Sequence, residues 1–199
     1  MKRVLISIVV IMAMVPAFAH AFDDYRQGFI AGLGLGKHES DVTNTDNLLG
    51  SSEVQSVDGS SLSLRLGAGV VDSVLVYWFM DLSRHEESNV ITGTNHDMLV
   101  GYSGLGLSVY FTPRSTSLYF NGAVGVAAAV DPAKQTRSNL YEYQGTGHTL
   151  GVGLELGAGM SIELNRTTII MEHKDNDGTF VDQNKDLETT RISFVYTWY

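Results

Sequence analysis

In the last stretch of the chain, residues 189–199, side-chain character changes at every second position. Ile192, Phe194, Tyr196 and Trp198 fall on one side of an extended backbone, and Arg191, Ser193, Val195 and Thr197 fall on the other. A period of two marks a β-strand with two unlike faces. The same period recurs upstream. Residues 28–37 set Phe29, Ala31, Leu33 and Leu35 against glycines, and residues 61–70 set five apolar side chains from Leu62 to Val70 against Ser, Arg and Gly. Residues 74–84 set Val74, Val76, Trp78, Met80 and Leu82 against Leu75, Tyr77, Phe79, Asp81 and Ser83. Further segments are predicted over 98–111, 118–130 and 148–164, the last with an apolar row from Leu150 to Ile162. Residues 167–174 are the least regular, with Ile169 and Met171 assigned to the apolar face and Thr168, Ile170 and Glu172 to the other.

That makes eight strands. Their predicted connections alternate in length: long (38–60), short (71–73), long (85–97), short (112–117), long (131–147), short (165–166), long (175–188). Short turns at one end and long loops at the other are the layout of a membrane barrel. The expected fold is all-β, an eight-stranded antiparallel up-and-down transmembrane β-barrel. Pairing of the first strand with the eighth removes both edges. Lipid requires this, because an unpaired backbone group there costs several kcal/mol. The competing architecture is a soluble eight-stranded barrel with the apolar face inside. The second face argues against it, being mostly Gly, Ser and Thr with few charges. Such a face suits a narrow lumen filled by side chains.

A turn centred near Ser73 would place Gly67 opposite Phe79, Gly69 opposite Tyr77 and Arg65 opposite Asp81. Glycines would then face aromatics on the inner surface, an arrangement that steadies a strand. Phe29, Phe111, Phe120 and Trp198 point outward near the short-turn end, as an interfacial aromatic girdle does.

The first residues change the picture of where the chain travels. Lys2 and Arg3 precede an apolar run over 4–15, Pro16 breaks it, and Ala19-His20-Ala21 gives a small-x-small site. This reads as a signal peptide over 1–21, with the barrel occupying 22–199. The net charge of −9 becomes about −11 without Lys2 and Arg3. An acidic chain is unsuited to nucleic acid. Cysteine is absent, so disulfides and thiolate metal sites are excluded. Glycine is abundant at 21 residues while proline, which spoils central strands, numbers only 3.

With its leader, eight Gly-rich amphipathic strands, Gly32-Leu33-Gly34-Leu35-Gly36, Gly104-Leu105-Gly106, Gly157-Ala158-Gly159 and an aromatic end, the chain resembles the small outer-membrane β-barrel proteins, the opacity-type, OmpA-like and OmpX-like groups. The resemblance covers residues 22–199. It implies residence in the outer membrane of a Gram-negative cell, contact with outer-membrane lipid and lipopolysaccharide, and a monomer. It also implies periplasmic chaperones and an assembly machinery that reads the last strand. Phe194, Tyr196, Trp198 and Tyr199 are similar to that assembly signal, with Tyr199 one step out of phase with the outward set.

Candidate chemistry is sparse. Arg65, Asp81, Glu155, Glu172 and Arg191 all fall on the predicted inner face. Buried charges must be paired, so a lumen network is expected, with Glu172 and Arg191 close enough to touch. It favours a plug over a small passive channel. His173-Lys174-Asp175-Asn176 is similar in spacing to the His-x-Ser-Asn of outer-membrane lipid A deacylases. Asp175 stands where that family has its nucleophilic serine, and His173 is predicted to face lipid. Asp175, Asp177 and Gly178 resemble part of a calcium loop, but His173 and Asn184 stand where it needs acids. The first long loop is acidic, with Glu39, Asp41, Asp46, Glu53 and Asp58, which would suit divalent bridging to lipopolysaccharide. No cofactor is expected, and the function read from sequence is structural or interactive rather than enzymatic.

Overall fold

A computed structural model describes residues 26–46, 51–89, 94–113, 116–132, 143–174 and 180–199. The predicted leader therefore lies outside the described residues, as do Asp175, Asn176, Asp177 and Gly178. Eight strands follow one another: β1 (Gly28–Asp46), β2 (Ser51–Val71), β3 (Val74–Asn89), β4 (Thr94–Tyr110), β5 (Thr116–Val130), β6 (Tyr143–Gly157), β7 (Met160–Lys174) and β8 (Phe180–Trp198). Each pairs antiparallel with its neighbours, and β1 pairs with β8, from Ala31 opposite Trp198 to Asp46 opposite Gln183. The barrel is closed and has no free edge.

The strands run further than the alternating pattern predicts. Residues 38–46 and 51–60, expected in a loop, continue the β1–β2 ladder from His38 opposite Gly59 to Asp46 opposite Ser51. Below this point the outer face is apolar, with Leu35, Leu105, Val124 and Leu150 each more than 60 % exposed. It ends at Lys37, Ser60, Arg84, Arg166 and Thr190, all exposed and outward. Above it the polarity reverses, and Val42, Met171 and Leu187 are buried inside. A barrel wall that is apolar outside needs lipid there. The upper wall stands in water and is packed from within, as any soluble sheet is.

Two turns differ from expectation. The β2–β3 turn is the pair Asp72–Ser73, with a bulge between Gly69 and Val71. It moves the register by two residues from that of a turn centred on Ser73. Gly67 therefore lies opposite Tyr77, Gly69 opposite Leu75, and Arg65 opposite Phe79 rather than Asp81. A shift of two preserves the faces. The β6–β7 connection is Ala158–Gly159, not 165–166. Gly157, Ala158 and Gly159 all have positive φ, of 114°, 49° and 76°, a run that glycine alone adopts without strain. The Gly-Ala-Gly motif is thus a turn, and residues 160–166 belong to β7.

The girdle residues lie on the outer face. Phe29, Phe111 and Phe120 are more than half exposed, and Phe111 meets Phe120 edge-on with centroids 5.3 Å apart. Trp198 meets Tyr196 edge-on at 4.7 Å.

Candidate functional site

The inner face carries polar side chains at three heights. At the turn end, Arg26 enters the mouth of the barrel just before β1. Its backbone carbonyl packs where a side chain on Gly69 would sit. The guanidinium donates to Glu155 at 3.0 Å and to the carbonyls of Asp72 and Thr112 at 3.1 and 2.9 Å, and it stacks 3.9 Å from the Tyr110 ring centre. Tyr199 donates to Glu155 at 3.2 Å, and its hydroxyl lies 3.3 Å from that of Tyr110. One cation therefore ties two turns to β6 and closes the lower mouth.

Across the middle, Arg65 on β2 and Glu163 on β7 form a two-pronged ion pair, both contacts at 2.6 Å. Glu163 has no exposed surface. It also accepts from Tyr119 at 2.5 Å and from Asn165 at 3.0 Å. Opposed backbone positions explain the fit: Tyr119 faces Gly153 and Tyr77 faces Gly106, so glycines receive the rings. Beside this pair Arg191 on β8 meets Asp81 on β3 at 2.8 Å. A cavity of about 20 Å³ lies between them, lined by Arg65, Asp81, Asn121, Asn165 and Arg191 among others. It has room for water, which needs on the order of 10–15 Å³, and for little else.

Above the outer apolar band lies a third group. Glu87 is held by Lys185 at 2.6 Å and by His85 Nε2 at 3.0 Å. Burial raises the Glu87 carboxyl pKa, but the hydrogen bonds and charges of His85 and Lys185 outweigh it and hold the group below the usual range. His38 meets His85 edge-on with centroids 6.0 Å apart. Burial, with His85 and Arg191 nearby, pushes His38 down to about 4 against the opposing pull of Asp58. It is therefore a neutral imidazole at physiological pH.

Of the predicted inner charges, Arg65, Asp81, Glu155 and Arg191 are in the lumen: Arg65 pairs with Glu163 rather than Asp81, Arg191 with Asp81 rather than Glu172, and Glu155 with Arg26. Glu172 is not: it is exposed on the outer face, opposite Asn184 rather than Arg191. The cause is the β6–β7 turn. With β7 starting at Met160, Met160, Ile162 and Leu164 face lipid, so the odd positions Glu163, Asn165, Ile169 and Met171 face inward. Glu163 is the acid that the sequence reading missed, although the alternation Ile162-Glu163-Leu164-Asn165 carries the signal. Arg26, Glu87 and Lys185 were missed because they lie outside the predicted strands.

His173 does not face lipid. Its ring packs 5.0 Å from Tyr143, which lies against the buried apolar cluster and under Lys185 at 4.7 Å. In the last strand, Phe194, Tyr196 and Trp198 line the outer face while Tyr199 turns into the lower mouth. The first-loop acids Glu39 and Asp58 are outward cross-strand neighbours on β1 and β2. Among the described residues, no three His, Asp or Glu side chains group as a metal site.

No protein-family model and no curated protein matches this sequence. Solved structures do. The outer-membrane protein OprG of Pseudomonas aeruginosa matches over 88% of this chain and 98% of its own, at 16% identity and a TM-score of 0.52. Ail, the attachment invasion locus protein of Yersinia pestis, in complex with the heparin analogue sucrose octasulfate, matches over 84% and 99%, at 13% identity and 0.45. The outer-membrane enzyme PagL matches over 80% and 98%, at 15% identity and 0.44. The closed ring of eight antiparallel strands, apolar outside and ion-paired within, has the fold of the small eight-stranded outer-membrane β-barrels.

Proposed function

We propose that the protein is an integral outer-membrane barrel with a sealed lumen, exported behind a cleaved leader over residues 1–21, and that its role is structural or interactive. The observation that carries this reading is the filled interior. Ion pairs and aromatic rings occupy it at three heights, and the cavity between the two central ion pairs holds water at most. A barrel that transports nothing acts through its surface: its lipid-facing wall, its upper wall and the loops above. Outer-membrane lipid and lipopolysaccharide are then its immediate neighbours, and the outward face of β8, with Phe194, Tyr196 and Trp198, is what the assembly machinery meets. Tyr199 is turned inward and engaged by Glu155, which makes Trp198 the terminal aromatic on the lipid side.

Membrane fractionation followed by gel mobility before and after boiling tests this. A band in the outer-membrane fraction that shifts on heating supports the reading, and a soluble periplasmic product ends it. Ohmic steps in planar bilayers would replace the sealed barrel with a channel. Release of fatty acid from lipopolysaccharide, lost in His173→Ala, would replace it with an enzyme.

A further inference from the structure

We infer that the upper lumen holds a binding site for a soft monovalent metal ion, copper(I) foremost, built from His38 on β1, His85 on β3 and Met98 on β4. All three side chains are buried, at 5 %, 2 % and 4 % exposure. Three ring nitrogens here have no hydrogen-bond partner: His38 Nδ1, His38 Nε2 and His85 Nδ1. Buried polar atoms are paired in nearly all proteins, so each such exception calls for a reason. A metal ligand is one reason, since the lone pair of a neutral imidazole is what a metal takes.

The arrangement around these nitrogens is that of a supported ligand set. His85 turns its Nε2 to Glu87 at 3.0 Å, and Lys185 holds Glu87 at 2.6 Å. A carboxylate on the far nitrogen is the usual device that orients a ligating histidine and raises its basicity. It leaves Nδ1 of His85 facing away from that carboxylate. On the other ring, His38 lies across Gly59, the residue between it and His85 in the ladder. A methyl group at position 59 would occupy the space of the His38 ring edge, at Cε1 and Nε2. Met98 stands directly opposite His85 in the β3–β4 ladder, with its side chain buried on the same inner face. Register and burial therefore put two imidazoles and a thioether side chain at one level of the inner face, from three strands.

The donor set and its surroundings select the ion. A thioether favours a soft ion, and imidazole accepts copper. Hard divalent ions want carboxylates or water. The inward carboxylates Asp81 and Glu87 are already engaged by Arg191 at 2.8 Å and by Lys185 at 2.6 Å, and Asp58, beside Gly59, is exposed on the outer face. Each pair is neutral in itself, so no inward carboxylate is left over to offset a divalent ion. Neutral ligands around a single positive charge ask less of this dry interior than two charges would.

The barrel purified in detergent should retain one copper(I) per chain under anaerobic ascorbate against bicinchoninate as competitor. His38→Ala and Met98→Leu should each weaken retention tenfold or more. His148→Ala, which removes an exposed outer-face imidazole, should leave it unchanged. Heat-shifted mobility on a gel reports whether each variant is folded. Should His38→Ala fail that check, silver(I) added to wild-type protein gives the answer by nuclear magnetic resonance. Shifts of the His38 and His85 imidazole nitrogens and of the Met98 methyl support the site, and their absence overturns it. Wild-type protein that retains no copper(I), or folded variants that retain it as wild type does, also overturn it.

Discussion

A carboxylate with no exposed surface persists in such an interior only if its oxygens are occupied, because burying an unpaired charge is far costlier than burying a paired one. Glu163 meets this with Arg65, Tyr119 and Asn165. Replacing it by alanine strands the Arg65 guanidinium in the lumen. Glu163→Ala should lower stability by about 3–5 kcal/mol, measured as a loss in the urea midpoint of the barrel in micelles. Replacing both partners, Arg65→Met with Glu163→Leu, should recover most of that loss, since an apolar pair of similar volume leaves no charge behind. At the same scale, Gly153 lies where the Tyr119 ring packs. Gly153→Val should push that ring away from Glu163 and destabilise by about 1–3 kcal/mol, with loss of the near-ultraviolet dichroism of the buried tyrosines as its signature.

At the level of elements, the strands were legible and their ends were not. Period-two alternation identifies a strand wherever its two faces meet different media, which is why β1 to β5 and β8 are visible from Phe29, Leu64, Trp78, Leu107, Phe120 and Phe194. It fades where both faces are polar, as in residues 38–46, and it reverses where water replaces lipid. Alternation alone puts Ile169 and Met171 outward for that reason, whereas they are apolar and inside, above the band. The β6–β7 turn was hidden because Met160 and Ile162 continue the parity of Leu154 and Leu156 across it. Only the two glycines around Ala158 mark it. Gly159 has φ of 76°, and a side chain there would run into the Thr197 carbonyl. Gly159→Ala should therefore cost about 1–3 kcal/mol. Ala158→Gly, at φ of 49°, should be neutral or stabilising by up to about 1 kcal/mol. Opposite signs in the two urea midpoints would place the turn here, and equal losses would not.

For the whole molecule, the candidate site divided along the same line. Arg65, Asp81, Glu155 and Arg191 were legible as inward charges from parity alone. Their partners were not, because partnership across a lumen depends on barrel closure and on exact register. Arg26, outside any strand, has no periodic signal to give. The sealed interior leads to a further expectation: removing both central cations, with Arg65→Ala and Arg191→Ala together, should enlarge the cavity near Asn121 and Asn165 and admit more water. Ohmic steps in bilayers that are absent in wild type would show it.

Among the described residues, four Arg or Lys ion pairs inside the barrel share a geometry that bears on how the chain folds. Arg65–Glu163 joins β2 to β7, Asp81–Arg191 and Glu87–Lys185 join β3 to β8, and Arg26–Glu155 joins the entry of β1 to β6. In every case the partners stand three strands apart around the ring and five apart along the chain, so none is formed within a hairpin or between hairpins that follow one another in the chain. A half-assembled sheet would carry these charges unmatched toward lipid, with nothing gained from its hydrogen bonds to compensate. Closure of the ring is thereby what satisfies all four pairs together. Each strut still open in a partly assembled barrel leaves a buried charge without its partner.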